Sequence, residues 1–119
     1  MKEFILIIFT ITISFSCTNV SEDDLIDAVE PPAVATYNTD IKIIIDNNCL
    51  NCHIQPPING AGIPLLTYDN VKNGVENNNL ISKISGNGPG ALMPLGGPSL
   101  PQNLIDLIIQ WEADGLLEN

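Results

Sequence analysis

Cys49-Leu50-Asn51-Cys52-His53 places two thiols and an imidazole within five consecutive residues of a 119-residue chain. A C-x-x-C-H run is the attachment pattern of a c-type haem. Two thiols reach the two vinyl groups on one porphyrin edge, and the next side chain turns its imidazole under the iron. The expected roles are thioether formation at Cys49 and Cys52 and proximal ligation at His53. Two other chemistries use the same residue types. A thioredoxin-like dithiol sits within a βαβ pattern, which this chain lacks. Structural zinc takes about four Cys or His ligands, and the chain holds 3 Cys and 1 His. Spacing and context therefore point to one covalently attached haem c, with iron as the bound metal.

Iron in such a site takes a second axial ligand. His53 is the only histidine, so ligation by two histidines of one chain is excluded. Methionine is the remaining soft donor, as in Met/His cytochromes c. Met1 opens an export signal, which leaves Met93, within Gly88-Pro89-Gly90-Ala91-Leu92-Met93-Pro94-Leu95-Gly96-Gly97-Pro98. Gly and Pro at this density rule out a helix or a central strand. Such a loop can still hold a side chain against a flat ligand. The competing role for Met93 is a gap-filling core methionine.

Elements on both sides must position these groups. Asn38 or Thr39 can cap a first helix, with Asp40 in its first turn complementing the helix dipole. Ile41, Ile44 and Ile45 share one face of that helix, which delivers Cys49 at its end; the run Ile43-Ile44-Ile45 also has strand character. Residues 54–66 read as a loop containing Pro and Gly that passes along the haem edge. Thr67 caps a segment from Tyr68 to Asn73 that stops at Gly74. Leu80, Ile81 and Ile84 suggest another short helix. The last helix takes Ser99 as its cap, tolerates Pro101 in its first turn, and carries Leu104, Leu107, Ile108 and Trp111 as one apolar stripe. Gly115 stands where a left-handed stop belongs. Trp111 is expected in the core, against the first helix or the haem edge.

The N-terminal region reads as export machinery. Lys2 precedes an apolar stretch, Phe4 to Ile13, of signal-peptide length; a permanent membrane helix needs about 20 apolar residues. Ser14-Phe15-Ser16-Cys17 resembles a lipoprotein processing site, with Ser14 replacing the usual aliphatic residue. Residues 1–16 are then a signal peptide and Cys17 the lipid-modified N-terminus, which explains the odd cysteine. The alternative is an ordinary signal peptide with Cys17 removed or left as a thiol. Residues 17–36 follow as lipid-attachment cysteine and acidic tether, through Ser21-Glu22-Asp23-Asp24 and the helix-stopping Glu30-Pro31-Pro32. The acidic run also resembles surface-export signals of some Gram-negative lipoproteins. Residues 37–119 form the folded domain.

C-x-x-C-H, a Met-Pro-Leu-Gly-Gly loop and a terminal helix ending Ile-Ile-x-Trp-x-x-x-Gly resemble a bacterial monohaem cytochrome c domain over about residues 38–115. The resemblance implies an all-α fold, three to four helices around one covalently bound haem. It implies a small electron carrier, or a carrier domain fused to a dehydrogenase or another enzyme. It also implies a proline carbonyl bonded to the second nitrogen of the proximal histidine, fixing the ring and raising its basicity. Pro64 matches that position, with Pro56 and Pro57 as rivals.

The expected function is one-electron transfer by an exported, membrane-tethered carrier facing the periplasm or cell surface; it is not an enzyme. His/Met ligation raises the reduction potential, and a wall of Ile41, Ile45, Leu65, Leu66, Leu92, Leu95 and Trp111 would favour the ferrous form. Two alternatives stand beside it. One is a haem accessory subunit accepting electrons from a separate dehydrogenase. The other is a haem sensor or peroxidase-like protein, which requires that Met93 leave iron open. From Cys17 onward the chain keeps 3 lysines and 13 carboxylates, a formal net charge of −10. Nucleic-acid binding is disfavoured, because it needs basic surface against phosphates. A redox partner with a basic or an apolar docking face is the expected complement.

Overall fold

Thr36 and Asp40 start the first helix, not Asn38 or Thr39. In the computed structural model, which describes residues 31–119, the Asp40 carboxylate accepts the Thr36 backbone N–H at 2.8 Å. A side chain reaching back satisfies a helix-start donor as well as a forward cap does. The turn Tyr37–Ile41 is wound as a π-helix and continues into α1, Lys42–Asn48. Ile41, Ile44 and Ile45 are all buried, so the helical face predicted there is realised. The strand character of the isoleucine run is overridden by this one-sided burial.

Thr67 caps α2, its hydroxyl accepting the Asn70 N–H at 3.3 Å. The helix does not stop at Gly74 but runs Tyr68–Asn77. Gly74 is buried inside it because a side chain would crowd its neighbours. A Cβ there would lie 3.0 Å from Leu80 Cδ1 and 3.1 Å from Leu65 Cδ2. After the left-handed Asn79 comes α3, Leu80–Ile84. The last helix, α4, spans Gln102–Ala113 with Pro101, rather than Ser99, at its N-terminal boundary. Its inner face is Ile105, Ile108 and Trp111, with Leu104 and Leu107 only partly buried. The described residues thus form a small all-helical domain of about four helices, with no strand among them.

Trp111 is fully buried and closes an aromatic cluster. Its ring centroid lies 6.0 Å from Tyr37 and 6.4 Å from Tyr68, and the two tyrosines meet edge-on at 5.5 Å. Gly115 takes φ +93°, and the Leu116 N–H returns to the Trp111 carbonyl at 2.9 Å. That six-residue closure is the helix stop predicted for Gly115. It also turns the tail back over the aromatics. Trp111 Nε1–H donates to the Leu117 carbonyl and the Tyr68 hydroxyl to the Leu116 carbonyl, both at 2.8 Å. The Tyr37 N–H reaches the same Leu117 oxygen at 2.9 Å.

The segment 32–36, read from sequence as the end of a tether, packs on α4. Gln110 donates to the Pro32 carbonyl at 2.7 Å, Ala35 is buried, and its N–H donates to Asp114 Oδ2 at 2.8 Å. The expected signal peptide over 1–16, the expected lipidation at Cys17 and the acidic run at 21–24 lie outside the described residues. Among the described residues no helix is long and apolar enough to cross a membrane.

Candidate functional site

Helix α1 ends by feeding its last carbonyls into the cysteine motif. The Cys49 N–H bonds to the Ile45 carbonyl at 2.9 Å, and the His53 N–H to the Cys49 carbonyl at 3.0 Å. The following loop folds back across the motif, with the Ile58 N–H on the Cys52 carbonyl and the Leu65 N–H on the His53 carbonyl at 2.9 and 2.7 Å. This return brings a carbonyl to the imidazole. His53 Nδ1–H donates to the Ile63 oxygen at 2.7 Å. A carbonyl only accepts, so the proton sits on Nδ1 and Nε2 carries the ring's free lone pair. The carbonyl expected from Pro64 is therefore that of Ile63, one residue earlier; Pro56 and Pro57 do not supply it either. The loop's return sets which oxygen arrives, and proline spacing does not encode it.

Helix α3 organises the other side. Gly86, at φ +69°, ends the helix, and the Asn87 N–H closes on the Ser82 carbonyl at 3.0 Å. The next free carbonyl, that of Lys83, accepts the Met93 N–H at 3.1 Å. Met93 is thus pinned by its backbone to a helix end, and its side chain is half-buried against the core.

One cavity of about 600 Å³ gathers these groups: Cys49, Cys52, His53 and Met93 all line it. That size falls within the range of about 300–1,000 Å³ typical of small-molecule and cofactor sites. Its apolar wall is Ile63, Leu65, Leu80, Ile84, Leu95 and Leu100. Of the wall expected from sequence, Leu65 and Leu95 are present. Ile41, Ile45 and Trp111 are instead spent in the core, while Leu66 and Leu92 are exposed. Ile63, Leu80, Ile84 and Leu100 were missed; Leu80 and Ile84, four apart on a short helix, carried the only sequence signal. Lys83 is the one charged residue in the lining, and no carboxylate lines it. Burial pushes the Cys49 thiol up to about 11, so it stays neutral near pH 7. That disfavours thiolate chemistry of the dithiol-oxidoreductase kind.

The haem cofactor and the metal-binding expectation are corrected on the donor inventory. Among the described residues no three His, Cys, Asp or Glu side chains gather into a group that could hold a metal ion. Among the described residues the carboxylates stand outside the cavity, the one imidazole is alone, and Cys49 and Cys52 are free thiols. The described residues build no metal centre from these side chains. No family model, curated protein or solved structure matches the chain.

Proposed function

We propose that the protein is a one-electron carrier with the fold of a monohaem cytochrome c domain, and not an enzyme. The observation that supports this most is the convergence of Cys49, Cys52, His53 and Met93 on one apolar cavity. The reading does not draw on a metal centre assembled from the chain's own side chains. A redox group seated in this cavity would supply the one-electron couple; the remaining work is the chain's. His53 presents Nε2 with its ring fixed through Ile63. Met93 presents a soft thioether from a loop anchored on Lys83. Ile63, Leu65, Leu80, Ile84 and Leu100 exclude water, which disfavours whichever redox state carries more uncompensated charge. Protein electrostatics and access then tune chemistry that belongs to the bound group.

The carrier is exported and held at a membrane by lipidated Cys17, facing the periplasm or cell surface. A lining without carboxylates, on a chain of net charge −10, favours an apolar docking face for its redox partner. The test is the intact mass and potentiometric titration of protein purified from an exporting bacterial host. The expected result is a redox group retained by the folded protein and a reversible one-electron couple. A folded protein with no bound group and no couple would sink the reading.

A further inference from the structure

The chain contains three Asn-Gly pairs, Asn59-Gly60, Asn73-Gly74 and Asn87-Gly88, and the structure treats them very differently. Asn-Gly is the dipeptide in which a backbone nitrogen most readily attacks the preceding side-chain amide, because glycine offers no Cβ to block the approach. Ring closure needs that nitrogen free and its backbone able to swing.

Gly74 is buried within α2, with Leu80 and Leu65 within about 3 Å of where a Cβ would stand. Its nitrogen cannot turn toward Asn73 unless the helix opens. Gly88 is pinned against α3: a Cβ there would lie 2.6 Å from Ser82 Cβ, and the preceding Asn87 N–H is held on the Ser82 carbonyl. Gly60 is exposed, with nothing within 4 Å of its Cβ position. Asn59 before it is also exposed and sits at φ +54°, a left-handed conformation that an L-residue holds at a cost. Ring opening to a residue with an extra backbone methylene relieves that constraint.

We infer that Asn59 is a self-modification site, converted without any enzyme to aspartate and isoaspartate on the rim of the cavity. The Gly60 nitrogen bonds to the Asn59 side-chain carbonyl carbon as the C–N bond to the amide nitrogen breaks. The Gly60 amide proton goes to the departing group, which leaves as ammonia. Water then opens the five-membered imide at either carbonyl, so the net change is water in and ammonia out. No oxidant or cofactor takes part. The product matters because of where it stands. Asn59 lines the cavity, and its Nδ2 donates to Cys52 Sγ at 3.7 Å. Conversion removes that donor and places a carboxylate in a lining that has none. On the carrier reading proposed above, such a charge favours the oxidised state and lowers the midpoint potential; the conversion itself does not depend on that reading.

The experiment incubates the folded protein, and separately the same chain in denaturant, at mildly alkaline pH. Peptide mapping with an isoaspartate-specific methyltransferase then reads each pair. In the folded protein Asn59 should convert about tenfold or more faster than Asn73, whose helix must first open locally, and faster than Asn87. In denaturant the three rates should converge. Gly60→Ala should slow Asn59 in both states. Equal rates in the folded protein, or Asn87 converting first, would overturn the inference. A failed redox test with selective conversion intact would remove the carrier reading and leave this one standing.

Discussion

The molecule is built in two manners. Around Trp111 the chain packs densely, with three aromatic rings in contact and a tail stitched over them by backbone carbonyls. Around Met93 it is loop, open space and a few well-placed hydrogen bonds. The first region holds the fold and the second holds a shape for something else. Stability and function are therefore expected to respond to different substitutions.

Removing the Trp111 ring tests the packed half most severely. Trp111→Ala should cost about 3–5 kcal/mol, read as a shift in denaturant midpoint; a loss under half that would mean the aromatic cluster is not the keystone. Next comes alkali. With its thiol free, Cys49 is pushed up to about 11 by burial. The unfolded chain gives up this proton at lower pH than the folded one, so stability is intact below the ordinary thiol value. It should then fall by about 2–3 kcal/mol as pH rises toward 11. Cys49→Ser should flatten that limb of the stability–pH curve. Asp114→Ala should cost about 1–3 kcal/mol, because the buried Ala35 N–H loses its acceptor. Met93→Leu should be the mildest for stability, under about 1.5 kcal/mol. Its effect belongs to the other half: on the carrier reading proposed above, the midpoint potential of the couple should shift, because Met93 lines the cavity. If Met93→Leu instead unfolded the protein while leaving the potential unchanged, the division between the halves would be wrong.

Much of the helical frame was legible because its signals are local. The Thr67 cap, the short helix over Leu80 and Ile84, and the Gly115 stop each depend on residues a few positions apart. What escaped depends on distant partners. Gly74 carries the same local signature as a helix stop, and only Leu65 and Leu80 reveal that it is a place of close approach. Asp40 looked like a dipole residue, yet it caps. Ile105 lies one step off the stripe read from Leu104, since the adjacent apolar residues Leu104-Ile105 and Leu107-Ile108-Ile109 on α4 leave its rotation to be set by packing. At the site, the cysteines, His53 and Met93 could be named from types and spacing. The cavity walls could not, because Ile41, Ile45 and Trp111 are equally apolar and only the tertiary arrangement decides which residues face the cavity.

The bond from Ala35 to Asp114 joins positions 79 apart. Closing a backbone loop of that span carries an entropic cost that grows only slowly with length, yet it must be met before the contact forms. Folding of this helical chain should therefore be gated by a late meeting of its two ends, slower than its short helices alone would suggest. The cysteine motif lies inside that loop and is held by contacts no more than a dozen or so residues apart. It can be complete while the ends are still apart.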